Sequence, residues 1–366
     1  MTPASGSSPI PYRWPSIDPY DRPMTGSWLV LVANSGDGTL SSFLLSDDRL
    51  IRMAVSGGVP GCSTFVVDAR RDLLYASVKG DDPGISTLAL DRSSGKLTRL
   101  SHLSLPDGAM NYLSLTRNGS GLLGASYAAG YGITCAVNDG ELSDPIARVE
   151  YPRLHSVRAS SDGRFAYFVS LGADLIAQYS IDPWLNLLPL NPATVRAPSG
   201  SGPRHLVLNA TQDALYVLTE FSGEVLRYRR DLHFGNLTAD GAVPAFDPSK
   251  GLGHSELDAD PLANHFIWGA DLHFSDPAHL WCSERTESTL GAVSVAPDGA
   301  LTAPESFVVT ETQPRGFAVS PDGRYLVAAG ERSTHVSLYR VHGAELELLG
   351  RAETGNKANW VWFVAR

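Results

Sequence analysis

A chain of 366 residues, 43% of them hydrophobic, is long enough to bury a substantial core. Its formal net charge of −10, with no run of Lys and Arg anywhere, argues against nucleic acid or an anionic membrane surface as the main partner. Cys62, Cys135 and Cys282 are odd in number, far apart and outside any CxxC spacing, so neither a disulfide framework nor a structural zinc site is expected, and a reducing, cytoplasmic compartment is.

Residues 1–26, "MTPASGSSPIPYRWPSIDPYDRPMTG", are rich in Pro, Ser and Gly with no basic start and no apolar core, and read as an extended arm. No run approaches the roughly 18 apolar residues of a membrane helix. From residue 27 the chain repeats itself. "SWLVLVANSGDGTLSSFLL" supplies strands without a leading one. There follow "CSTFVVDARRDLLYASV", "NYLSLTRNGSGLLGASY", "HSVRASSDGRFAYFVSL", "RHLVLNATQDALYVLTE", "ADLHFSDPAHLWCSERT" and "RGFAVSPDGRYLVAAGE", at intervals of about 45 to 65 residues. Each copy has a short alternating strand, a turn of Asp, Asn, Gly or Pro, and a second strand of β-branched and aromatic residues; third and fourth strands complete it. The chain ends on "NWVWFVAR", a first strand with nothing after it. The pattern predicts an all-β fold over residues 27–366: a seven-bladed β-propeller of four-stranded antiparallel blades, closed by pairing of the N- and C-terminal strands so that no edge is left open.

In a propeller the first strand of each blade lines the central channel. Equivalent positions at the starts of these strands are Ser63, Asn111, His155, Arg204, Ala270 with Asp271 beside it, and Arg315, with Asn356 or Asn359 from the closing strand. A second ring, at the ends of second strands, reads Lys79, Tyr127, Glu220, Arg285 and Glu331. Polar residues line any water-filled channel, but three arginines near one axis repel each other unless carboxylates or a bound anion neutralise them. His155 has the side chain best suited to proton transfer at neutral pH, and Glu220 is expected to tune it.

Other candidates fit blander roles. The insertion "DPSKGLGHSELDADPLANHF" holds His254, Glu256, Asp258, Asp260 and His265, whose spacing matches no metal loop and suggests a solvated lid over the channel; no metal is expected. Arg227, Arg229 and Arg230 are expected on an outer, solvated face. His205 and His273, set among apolar neighbours in first strands, are expected to be structural. "SGSG" and "GDG" are turn glycines, since no helix follows them.

The segments "GPRHLVL", "ADLHFSD" with "CSERTES", and "TETQPRGFAVSPDGRYLVAAGERSTHVSLY" carry a resemblance. Over roughly residues 27–366 the chain resembles the seven-bladed propeller lactonase family, which includes bacterial propeller-type 6-phosphogluconolactonases and fungal carboxy-cis,cis-muconate lactonizing enzymes. "TETQPRGF" followed by "YLVAAG" looks most like the phosphogluconolactonase branch. The active-site set proposed for the muconate branch maps onto His155 in "RLHSVRASSDG", Arg204 in "GPRHLVL", Glu220 in "LTEFSG" and Arg285 in "CSERTES".

The resemblance implies a cofactor-free lactone hydrolase acting on an acidic sugar lactone. The arginines would hold the substrate's anion and stabilise the oxyanion, and His155 with Glu220 would carry protons. From the two rings of aligned positions, Arg315, Asn111, Tyr127, Asp271 and Glu331 are expected to contact the substrate. A muconate-type cycloisomerase using the same residues is the second expectation. A propeller that only binds a ligand or protein is the third, and the presence of all four mapped residues counts against it.

Overall fold

The structure, a computed structural model, describes residues 27–366. The arm expected over residues 1–26 lies outside the described residues. Seven antiparallel sheets follow one another around a ring. In blade 1 the C-terminal strand Ala358–Ala365 is innermost, followed outward by Trp28–Asn34, Thr39–Ser46 and Arg49–Ser56. The expected closure is present: Ala358–Ala365 runs antiparallel to Trp28–Asn34, from Trp28 opposite Ala365 to Asn34 opposite Ala358. Inner strands of the other blades begin at Phe65, Tyr112, Leu154, Pro203, Gly269 and Gly316. In blades 3 and 6 the outer strand is broken in two, Glu141–Leu142 with Ala147–Glu150 and Leu301–Thr302 with Phe307–Val309.

The sequence periodicity follows from the stacking. A second strand such as Phe165–Ser170 or Ala214–Thr219 is buried along its whole length because sheets cover both of its faces, and so it is an unbroken apolar run. An outer strand such as Glu345–Glu353 meets solvent and interleaves charged residues with apolar ones. The "SDGR" and "PDGR" turns work alike: Ser160 and Ser320 donate to Asp162 and Asp322 at 2.5 Å, and Gly163 and Gly323 take the left-handed conformation that closes each hairpin. The core lies between blades. Phe165, Tyr167 and Val169 of blade 4 pack on Leu206, Leu215 and Val217 of blade 5, and corresponding clusters join blades 5 to 6, 6 to 7 and 7 to 1.

This stacking corrects the expectation for the three blade 5 arginines. Arg229 is largely exposed, but Arg230 is buried and donates to the Tyr167 hydroxyl at 2.7 Å and the Gln212 carbonyl at 2.8 Å. Arg227 is mostly covered, bonded to the Asp298 carbonyl and paired with Asp240. Side chains of a third strand still point at the neighbouring blades, so alternation sends Arg227 toward blade 6 and Arg230 toward blade 4.

Candidate active site

The channel mouth is built from irregularities at one recurring place. In blades 4, 5 and 6 the pairing of inner with second strand slips, between Leu154 and Ser156, Pro203 and His205, and Gly269 and Leu272. The residues in the slips are His155, Arg204, and Ala270 with Asp271. A bulge breaks the two-residue alternation and re-aims side chains that a regular strand would turn away. Arg204 therefore reaches Glu220 and the Ala270 carbonyl, while the next residue, His205, packs on Tyr112, His155 and Trp360 from three other blades.

Glu220 sits between two guanidinium groups. Its Oε2 accepts from Arg204 Nε at 2.8 Å and lies 3.0 Å from Arg285 Nη2, and its Oε1 accepts from Trp268 Nε1 at 3.2 Å. Arg285 stacks on the Trp268 ring at 3.9 Å and donates to the carbonyls of Trp268 and Gly269. In blade 7, Arg315 and Gln313 both hold Glu331, at 3.1 and 2.7 Å. With Lys79, which faces Arg315 and Glu331, the cations Arg204, Arg285 and Arg315 outnumber the carboxylates Glu220 and Glu331 that they engage.

The excess of positive charge is felt by every group. Burial pulls the Arg204 guanidinium down to about 9, Arg285 adds to the effect, and Arg204 remains charged at neutral pH. Burial also lowers Arg285, and burial with Arg315 lowers Lys79. Burial pushes the Glu220 carboxyl up, but Arg285, Arg204, Arg315 and the Trp268 bond outweigh it and hold the group below its ordinary value. Glu331 is held down in the same way by Arg315 and Arg285 against burial.

His155 is placed by Asn111, whose Nδ2 donates to the His155 carbonyl at 2.6 Å while its Oδ1 accepts from the Tyr127 backbone N–H. Those two bonds fix the amide so that Nδ2 faces His155 Nδ1 at 3.4 Å. In the neutral ring, Nδ1 is then the acceptor and Nε2 carries the proton. The Tyr127 ring packs on the imidazole edge-on. Burial, then Arg204, His205, Arg315 and Arg285, hold His155 well below its usual value, so the ring is neutral at pH 7. Glu220 makes no bond to His155: the two arginines and Trp268 engage its oxygens, so the expected pairing of carboxylate with imidazole is not what the structure brings together.

His205 is neutral too, lowered to about 3 by burial and Arg204 against the opposing pull of Asp271. Both imidazoles make stability pH-dependent. The unfolded chain takes up their protons below about pH 6.5 while the folded chain resists, so this stability is complete above that pH and is lost as pH falls toward the folded values. The melting temperature is expected to fall between pH 7 and 4, and His155→Asn should flatten that slope by up to about 1.4 kcal/mol per pH unit. Thermal melts across this range check it.

Asp271, expected at the mouth, lies deeper and is occupied. It is buried, and its oxygens engage His205 Nδ1 at 2.7 Å, His273 Nε2 at 3.1 Å and the Leu272 N–H. The insertion after blade 5 does lean on the mouth, where Asp258 pairs at 3.6 Å with Arg153, which stacks on Tyr127. Its other polar groups point apart: Asp260 caps the short helix Pro261–Asn264, His265 pairs with Glu287, and His254 bonds the Ser255 carbonyl. Sequence reasoning missed Trp268 and Gln313, which support the charged groups from just ahead of the inner strands, outside both rings of aligned positions.

A family model described as "Lactonase, 7-bladed beta-propeller" matches residues 31–363. The chain belongs to this lactonase family. The chain is 32% identical over 310 residues to a 6-phosphogluconolactonase of Enterobacter sp. strain 638, covering 83% of this chain and 88% of that one. It is 29% identical over 328 residues to a 6-phosphogluconolactonase of Klebsiella pneumoniae, covering 87% and 93%. Among solved structures, one from Bacteroides fragilis superposes with a TM-score of 0.81 at 22% identity, covering 94% and 99% of the two chains. The Pseudomonas aeruginosa periplasmic gluconolactonase does so with 0.78 at 24%, covering 93% and 99%. These two show the lactonase fold.

Proposed function

We propose that this protein hydrolyses an acidic sugar lactone of the 6-phosphogluconolactone kind at the channel mouth. The observation that carries the reading is the charge excess there, Arg204, Arg285, Arg315 and Lys79 against Glu220 and Glu331. A bound anion relieves it, and the names of the bacterial relatives supply the class of substrate. Glu220 holds Arg204 and Arg285 in place before substrate arrives, so their N–H groups need no reorganisation to stabilise an oxyanion. Arg315 and Lys79, less constrained, suit the substrate's own anionic group. His155 donates a hydrogen bond from its neutral Nε2–H to the oxyanion.

Muconate cyclisation is the weaker reading. It needs an acid to protonate carbon, whereas Glu220 is ionised and His155 is neutral at physiological pH.

Arg204→Lys and Arg285→Lys keep the charge and lose the planar fork. Each is expected to lower kcat/KM by a factor corresponding to about 1.5 to 3 kcal/mol. His155→Asn should lower kcat about 100-fold or more with little change in folding. Steady-state hydrolysis, corrected for spontaneous ring opening, checks both. Near-parental kcat in His155→Asn across pH 6 to 9, a window set about roughly neutral imidazole chemistry, would remove the imidazole from the reaction.

A further inference from the structure

The residues assigned so far bind and polarise a lactone, yet none of them is a free base. We propose that His205, oriented by Asp271, is the general base that activates the attacking water; this rests on the lactone-hydrolysis reading. The geometry is that of an imidazole with one nitrogen held and the other available. Nδ1 lies 2.7 Å from Asp271 Oδ1. The Asp271 carboxylate is held ionised by His273, His205 and their hydrogen bonds against burial, so it accepts, and the proton of neutral His205 resides on Nδ1. Nε2 is left with its lone pair and has no hydrogen-bond partner in the protein among the described residues.

The register slip at Arg204 leaves the His205 ring against residues of three other blades. Its centroid is 5.1 Å from that of His155, 5.1 Å from Tyr112 and 5.8 Å from Trp360. The two imidazoles are thus neighbours of opposite tautomer, one offering a lone pair and the other an N–H. A histidine kept only for packing would be expected to use both nitrogens in the protein or to be replaced by an apolar ring.

Charged and titratable groups facing His205 are Asp271, His155, Arg204, Arg315 and Tyr112, the last bonded by Arg158 at 2.9 Å. Burial and the two arginines weaken the base in the free protein. An anion bound on the arginines cancels part of that field, so His205 becomes a stronger base as substrate arrives.

In the step itself, the water oxygen bonds to the lactone carbonyl carbon as one water proton passes to His205 Nε2. The carbonyl π pair moves onto oxygen and is held by the guanidinium and His155 N–H groups. Collapse re-forms C=O and breaks the bond to the ring oxygen, which takes the proton back from the His205 imidazolium. The products are one hydroxy acid and the neutral ring.

The test begins with the full chain and 6-phosphogluconolactone. His205→Gln and Asp271→Asn are each expected to lower kcat about 100-fold or more with KM changed by less than about threefold. In parallel, nitrogen-15 NMR of the parent should show His205 as the Nδ1-protonated neutral tautomer, its titration midpoint rising when inorganic phosphate is added. An active parent whose two folded variants keep their kcat, or an Nε2-protonated His205 indifferent to phosphate, overturns the assignment. If neither variant folds, the tautomer measurement decides. A parent that opens no lactone sinks the lactone reading, and the base with it.

Discussion

Ending the chain at residue 357 is expected to abolish the cooperative thermal transition and leave an aggregating protein. The lost strand, Ala358–Ala365, is the innermost of blade 1, and its antiparallel pairing with Trp28–Asn34 joins the two ends of the described chain in one sheet. It buries Trp360, Val361, Phe363 and Val364, and Trp360 Nε1 donates to the Phe65 carbonyl of blade 2 at 2.8 Å. At roughly 1.5 to 3 kcal/mol for each large apolar side chain, their burial contributes about 6 to 12 kcal/mol. A typical folded chain has only about 5 to 15 kcal/mol in total. The cut also uncovers Trp28–Asn34, a fully buried strand that becomes a free edge. Calorimetry with size-exclusion chromatography measures the outcome, and an unchanged transition in the truncated chain would refute the closure.

Glu220→Leu is expected to destabilise the fold by about 3 to 5 kcal/mol, because it leaves Arg204 and Arg285 buried and uncompensated. Glu220→Gln preserves the shape and removes only the charge. Its loss should be smaller and partly recoverable, since inorganic phosphate can take the place of the missing carboxylate. Added phosphate should therefore raise the melting temperature of Glu220→Gln by more than it raises that of the parent. Equal shifts would mean that phosphate does not take the place of the Glu220 carboxylate between Arg204 and Arg285.

The architecture could be read from the chain because its causes are local and repeated. A hairpin turn such as "SPDGR", a buried second strand and the orphan strands at the two ends each announce themselves within a few residues. Repetition also brought His155, Arg204, Glu220 and Arg285 to one mouth, since equivalent positions of equivalent strands must share a ring. What alignment of strands could not reveal was the local slip at His155, Arg204 and Ala270, which breaks alternation without changing composition. His205 was read as a hydrogen-bonded, packed strand residue, and it is buried and bonded to Asp271; what the strand pattern did not show is its contact with His155 of the preceding blade. Asp271 was read at the mouth for the same reason and lies beneath it, engaged by two histidines. The pairing of Glu220 with Arg204 of its own blade and Arg285 of the next, instead of with His155, depends on side-chain reach between strands, to which no spacing in one strand is sensitive.

The central claim is that the cationic mouth opens a lactone that carries its own negative charge. It is tested most directly by comparing kcat/KM for 6-phosphogluconolactone and for uncharged glucono-δ-lactone, each corrected for spontaneous hydrolysis, in the parent and in Arg315→Gln. The phosphorylated lactone should be strongly preferred by the parent, and the preference should fall by about tenfold or more in the variant, as a charge-assisted contact of about 1.5 to 3 kcal/mol is lost. Equal rates on both lactones in both proteins, or consumption of a muconate with no lactone opened, would contradict it.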